Sequence, residues 1–197
     1  MLSKLIISGI LGCTLLLAGC KTNESGGNFT VSGNIKNAEN QKLLLQEIPY
    51  GGKAIITLDS ITIDKEGNYE FKFIAKQEGI YRLATEKEFE IIFINDDDNI
   101  KISADASNYS TFSVKGSNST SSLFEFLKQY RQKDSSLFAT LYNLDALQKQ
   151  NGKDSTIFWL QKQKVEKIKN LNDFVETSIT SATSPAFIYY TLGLGLR

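Results

Sequence analysis

The chain has 197 residues, with 22 basic and 22 acidic side chains, so its formal net charge is zero and it lacks the basic footprint that nucleic-acid binding needs. It contains no histidine, and its two cysteines, Cys13 and Cys20, both precede residue 21. If a leader ending at Gly19 is removed and Cys20 is lipidated, no imidazole and no free thiol remain. That excludes Ser-His-Asp and Cys-His catalysis, CxxC redox chemistry, zinc sites built on Cys or His, and any structural disulfide.

Residues 1–20 read MLSKLIISGILGCTLLLAGC. Lys4 is a short positive n-region, and Leu5 to Leu17 form an apolar h-region interrupted by Ser8, Gly9, Gly12 and Thr14. A membrane-spanning helix needs about 20 apolar residues, so this stretch fits a signal h-region instead. It ends in Leu17-Ala18-Gly19-Cys20, which resembles the lipobox of bacterial lipoproteins. Small residues before the cut admit an extended backbone to the signal peptidase, and the Cys20 sulfur carries diacylglycerol. The expected product is cut between Gly19 and Cys20 and held by two or three acyl chains, which anchor firmly where one chain does not. Lys21, in place of an aspartate, resembles the sorting signal for the outer membrane more than retention at the inner one. The expected address is the cell envelope, anchored through Cys20 and facing the periplasm.

Residues 20–28 are expected to be a flexible tether, polar and carrying Gly26 and Gly27. From Phe29 the pattern has period two. Val31, Gly33 and Ile35 come first, then Leu43 and Leu45, then Ile55 to Leu58, then Ile61 and Ile63. Tyr69, Phe71 and Phe73 alternate with Glu70 and Lys72. Tyr81 with Leu83, Phe89 to Ile94, Ile100 with Ile102, and Phe112 with Val114 bring the expectation to about eight short strands. Asp64 to Asn68 reads as a hairpin loop with Gly67 at a positive φ. Pro49 to Gly52 and Asn95 to Asn99 are further loops. Many short strands without intervening helices predict an antiparallel, jelly-roll-like sandwich over residues 29–116.

After Gly116 the period becomes helical. Leu123, Phe126, Leu127, Tyr130, Leu137, Leu141 and Leu144 predict one helix, bent between Gln132 and Ser136 and stopped at Asn151-Gly152. Asp154 or Ser155 is the expected cap of a second helix, with the stripe Ile157, Leu160, Val165, Ile168, Leu171, Val175 and Ile179. Ser184-Pro185 predicts the start of a third. Its apolar run, Ala186 to Leu196, either packs on the two preceding helices or meets something outside this chain. Residues 117–197 thus read as a helical, linker-like region.

The order Phe29-x-Val31-x-Gly33-x-Ile35, Leu43 to Leu45, Asp59-Ser60, Asp64-x-x-Gly67-x-Tyr69-x-Phe71 and Tyr81-x-Leu83 resembles a β-sandwich domain, the domain of unknown function 4369. It typically follows the lipobox of Bacteroidetes-type lipoproteins and precedes a helical linker and a thioredoxin-like thiol–disulfide oxidoreductase domain. The resemblance spans about residues 29–130. Asp96-Asp97-Asp98 stands where relatives often carry a glycine, so that turn differs. No residue here matches the catalytic cysteines of full-length relatives, and their redox activity does not carry over.

Other clusters read more plainly. Asp96 to Asp98 fails as a calcium loop, since Ile100 and Lys101 stand where a ligand and a glycine are needed, and is expected to be a solvated hairpin tip. Glu86, Glu88 and Glu90 alternate on one expected sheet face. Paired carboxylates suit glycoside hydrolysis, but charge on an edge strand more often blocks aggregation. Lys162, Lys164, Lys167 and Lys169 suggest a solvated helix face more than one laid against an anionic surface, and Trp159 beside Phe158 suggests core or packing under the terminal apolar segment. Asp59-Ser60-Ile61 and Asp154-Ser155-Thr156 resemble an O-glycosylation pattern of Bacteroidetes-type periplasmic proteins, which would place glycans on Ser60 and Ser155. No cofactor or metal is implied. The leading expectation is a non-catalytic, membrane-anchored module that binds or positions, its partners being membrane lipid and a thioredoxin-like domain. The alternatives are an independent lipoprotein binding a glycan, peptide or protein, and a carboxylate hydrolase using Glu88 or Asp97.

Overall fold

The structure is a computed structural model and describes residues 27–87, 89–108, 112–150 and 153–194. The lipobox with Gly19 and Cys20, the tether before Gly27, Glu88, and the stop at Asn151-Gly152 lie outside the described residues. Eight strands come first: β1 (Gly27–Lys36), β2 (Lys42–Glu47), β3 (Ile56–Thr62), β4 (Asn68–Ala75), β5 (Ile80–Thr85), β6 (Glu90–Ile94), β7 (Asn99–Asp105) and β8 (Ser113–Lys115). Three helices follow: α1 (Asn118–Lys149), α2 (Asp154–Ser181) and α3 (Pro185–Gly193). The strands form two four-stranded sheets, ordered β4-β1-β7-β8 and β3-β2-β5-β6.

Period-two patterning sets the packing. Val31, Ile35, Phe71, Ile100 and Ile102 of the first sheet meet Leu43, Leu45, Leu83 and Phe93 of the second in one closed core. Phe29, Phe73, Tyr81 and Phe93 form an aromatic group across it, with centroid separations of 5.2–6.4 Å. Tyr69 is buried there and donates its hydroxyl to the Ile102 carbonyl at 3.0 Å.

The sandwich departs from the expectation at three points. β1 pairs antiparallel with β4 but parallel with β7, so the first sheet is mixed. The chain reaches β7 only after building the whole second sheet, so β7 comes to lie beside β1 running the same way. Gly33 sits at that junction with φ 156°, and a Cβ there would lie 1.8 Å from the Ile102 carbonyl oxygen. Only glycine lets the two backbones approach so closely. Ile56 to Leu58 and Ile61 also prove to be one edge strand, β3, irregular where it passes Leu45 and Gln46, with Ile55 just before it. Finally, β1 begins at Gly27, inside the expected tether.

The hairpin loop behaves as read. Gly67 has φ 84°, and Asp64 Oδ1 accepts the backbone N–H of Glu66 and Asn68. Those bonds, led by the one from Asn68, hold the Asp64 carboxyl below its usual range. Asp105 is likewise lowered, first by the Ser107 hydroxyl and then by Asn37.

α1 runs unbroken through Gln132 to Ser136. Ser117 caps it, accepting the Thr120 N–H, and Ser184 caps α3 by accepting that of Phe187, with Pro185 in the first turn as expected. α2 differs: its N-cap is Lys153, without a side-chain bond, and Asp154 and Ser155 already lie inside the first turn. Its buried face is Leu160, Leu171 and Val175. Val165 is five residues past Leu160, about 500° of helical rotation, so it points away and is 67% exposed. The same geometry turns Phe158 and Trp159 outward, correcting their assignment to the core.

Candidate functional site

One end of the sandwich is joined to the helices by a polar seam. There the β6 edge is covered by the start of α1. Buried Thr120 accepts the Ile94 N–H at 2.9 Å and donates to the Ile94 carbonyl at 3.2 Å, so an open sheet edge ends on a helix. Next to it, Asp96 Oδ2 accepts the Ser119 N–H at 2.8 Å. A carboxylate is thus set against the first turn of α1, where the helix dipole favours negative charge. Asp96 is therefore half-buried and structural, which corrects its reading as part of a solvated tip. Asp97 and Asp98 do remain exposed, and Asp97 closes a local turn by accepting the Asn99 N–H.

The β4–β5 turn supplies the second half of the seam. Buried Asn95 accepts the Gly79 N–H at 2.6 Å, which fixes the turn. Glu78, beside Gly79, then points at α3: its Oε1 accepts the Ala186 N–H at 3.1 Å and the Ser184 hydroxyl. Tyr50 donates to the Glu78 carbonyl and packs on Tyr189 at 5.0 Å. Burial, with Glu78 nearby, pushes the Tyr50 hydroxyl up to about 12. Tyr81 is raised to about 12, again first by burial.

Below the seam a second apolar cluster joins Ile80 and Ile94 of the sheet to Leu123, Phe126, Leu137, Leu171, Val175, Ala186 and Phe187. Phe126 stacks on Phe174 at 5.2 Å and meets Phe187 edge-on at 5.6 Å. In the described part of the terminal apolar run, Ala186 and Phe187 are buried in this cluster, while Tyr189 and Leu192 stay exposed. A groove of about 540 Å³ opens beside this cluster, where Phe126, Phe174 and Phe187 lie beneath hydroxyls including Ser119, Ser122, Ser178 and Ser181.

Farther out, α1 and α2 continue as a two-helix arm. Leu144 and Leu160 are buried but belong to neither apolar cluster. Lys167 ties the helices together, donating to the Ser136 carbonyl at 3.1 Å and to Thr140 Oγ1 at 2.8 Å. The basic stretch is therefore not one solvated face: Lys167 is half-buried at the helix pair, Lys169 pairs with Asp173, and Lys162 is exposed. Phe138 and Tyr142 lie one turn apart on α1, and Phe158 and Val165 share a face of α2. All four are at least 67% exposed.

The acidic trio is not assembled as expected. Glu86 lies in the β5–β6 turn, whereas Glu90 is in β6 and pairs with Arg82 at 2.9 Å. The ribbon turns before Glu90, so Glu86 and Glu90 do not line one strand face. Among the described residues, no group of three or more acidic side chains is placed to hold a metal ion. Ser60 is exposed on β3, and its own N–H is taken by Asp59 at 2.7 Å. Ser60 lines a second cleft of about 540 Å³ with Glu39 to Lys42, Ile61, Thr62, Glu86 and Lys87. Ser155 is exposed in the first turn of α2.

Sequence reasoning missed Glu78 and Thr120. Thr120 lies in the first turn of α1, and its partner Ile94 is set only where that helix meets the β6 edge. Glu78 left no signal, because its partners Ser184 and Ala186 lie more than a hundred residues away.

Residues 29–123 match the family model described as Domain of unknown function (DUF4369). These residues form a DUF4369 domain. The match begins two residues into β1 and ends inside α1, so it includes the rest of the sandwich and the α1 side of the seam, with Asp96, Ser119 and Thr120. No curated protein matches the chain. Among solved structures, a crystal structure of (S)-allantoin synthase aligns at 8% identity and a TM-score of 0.32, covering 47% of this chain and 44% of that one.

Proposed function

We propose that this DUF4369 protein is a lipid-anchored, non-catalytic module of the cell envelope that positions a partner. The observation that carries this reading is the seam. It fastens a protruding helical arm to a closed sandwich, the construction expected of a spacer. The lipobox-like Leu17 to Cys20 supports anchoring through acylated Cys20, at the outer membrane and facing the periplasm. The lack of histidine, and of any cysteine beyond Cys20, supports a non-enzymatic role. The resemblance to lipoproteins that carry a thioredoxin-like domain supports such a domain as what is positioned. The jelly-roll-like arrangement expected of the sandwich belongs to this same reading.

Two measurements test it. Cells fed an alkyne fatty acid label the wild-type protein, and Cys20→Ala abolishes both label and membrane retention. An unlabelled wild type contradicts the anchor. An immunoblot of native envelopes with an antibody to residues 29–115 then reads the mass. A band larger by an ordinary domain of about 100–150 residues supports a carried domain. A band of this chain's size without its leader favours the second reading, an independent binding lipoprotein.

The polar cleft beside Ser60 supports that second reading, and a rise in melting temperature with an envelope glycan or peptide tests it. Glycosylation of Ser60 and Ser155 is a separate proposal, resting on their exposure and the Asp-Ser pattern. Peptide mass spectra of the native protein with both serines unmodified contradict it.

A further inference from the structure

Four observations converge at one end of the sandwich. Glu78 and Asp96 sit on the two adjacent turns that join β4 to β5 and β6 to β7. Each carboxylate accepts a backbone N–H from the first turn of a different helix, Asp96 from Ser119 of α1 and Glu78 from Ala186 of α3. The two turns are bonded to each other, since Asn95 accepts from Gly79 N and donates to the Gln77 carbonyl at 3.4 Å. The helices beyond are long: at about 1.5 Å per residue, α1 extends about 48 Å, so a small tilt at its base moves the far end of the arm by many ångströms.

We propose that Glu78 and Asp96 are positioning residues, a two-point clasp that sets the angle of the helical arm against the sandwich. Contacts at the α1 base alone, from Asp96 and Thr120, leave the arm free to pivot there. A second contact, through α3 packed between α2 and β5, removes that freedom. The proposal rests on the positioning reading for its purpose, while its geometry stands without it.

The test is a pulsed spin-label distance between Ile74→Cys on the sandwich and Phe158→Cys on the arm, both exposed. It uses the mature chain purified from membranes into nanodiscs. The parent, Ile74→Cys/Phe158→Cys, gives one narrow distance peak. Adding Glu78→Ala and Asp96→Ala at least doubles its width, while amide protection of β1 and β2 stays at the parent level. An equally narrow peak in the quadruple variant, or a broad peak in the parent, overturns the clasp. If the quadruple variant does not fold, Ser184→Ala removes the hydroxyl that joins Glu78 to α3, and it must broaden the peak in the same direction. The chain without engineered cysteines reports separately on the anchor: spin label on it reveals an unlipidated Cys20 and leaves the clasp result intact.

Discussion

Between its two sheets the sandwich closes a core in which Val31, Ile35, Leu43, Leu45, Leu83 and Ile102 have no exposed surface. The outer arm leaves Phe138, Tyr142, Phe158 and Val165 mostly exposed, while Thr140, Leu144 and Leu160 are buried. The same apolar residue types therefore do different things in the two regions. In the sandwich, alternation along the strands puts most large apolar side chains on one of two facing surfaces, with Ile56 and Ile74 left exposed. In the helical region, two long helices and a short one bury a single narrow stripe. They attach to the rest at one end, through the apolar cluster around Ile80 and Ile94 and the polar contacts of the seam. Stability should therefore come mainly from the sandwich, and the helices should hold their place through the seam.

The largest effect that would sharpen this contrast is a core truncation. Phe71→Ala, at a site 1% exposed, should cost about 3–5 kcal/mol and lower the melting of sandwich and helices together. Calorimetry in which the helices keep their own unchanged transition would break the contrast. Gly33→Ala should cost roughly 2–5 kcal/mol, because β1 must retreat from the Ile102 carbonyl and a strained φ is added. Urea denaturation reads it directly.

Thr120→Val acts on the seam. It keeps the shape but strips the Ile94 N–H of its partner, for about 1–3 kcal/mol. Exchange at the α1 base should rise while β1, β2 and β7 stay protected. Uniform loss across strands and helices would show that the seam is not a separate weak point.

Base should act first near the seam as well. Folded Tyr50 and Tyr81 are raised from 10.0 to about 12. Their neutral forms thus support the fold below the unfolded value, and that support disappears as pH climbs from about 10 through 12. The lowered carboxyls of Asp64 and Asp105 work the other way, their support vanishing as pH falls below the usual carboxylate range. Melting temperature across pH 3–12 should fall at both ends. A flat alkaline limb would contradict the tyrosine environments. The smallest effect is Lys149→Ala on the arm, which removes an exposed pair with Asp145 and should change stability by about 0.3–0.5 kcal/mol.

Much of the sandwich was legible because its cause is local. Alternation located the strands, and Asp64 with Gly67 located a turn. The parallel β1/β7 pair was not legible, since nothing in a strand's own sequence names its neighbour. Val165 is apolar and near the spacing of the buried stripe, but five residues after Leu160 is the wrong face of the helix. Ser184-Pro185 announced α3 through its own cap, while Glu78, which completes that cap, comes from a turn far away in sequence. Asp96 looked like loop charge because its partner Ser119 appears only once α1 is laid over β6.

Native-state hydrogen exchange resolved by residue tests the central claim most directly. The account predicts that core amides of β1, β2 and β5 exchange only by global unfolding. Amides of α3 and of the arm around Tyr142 and Phe158 should exchange through smaller openings, which Thr120→Val makes easier. Equal protection across strands and helices, unchanged in Thr120→Val, would contradict it.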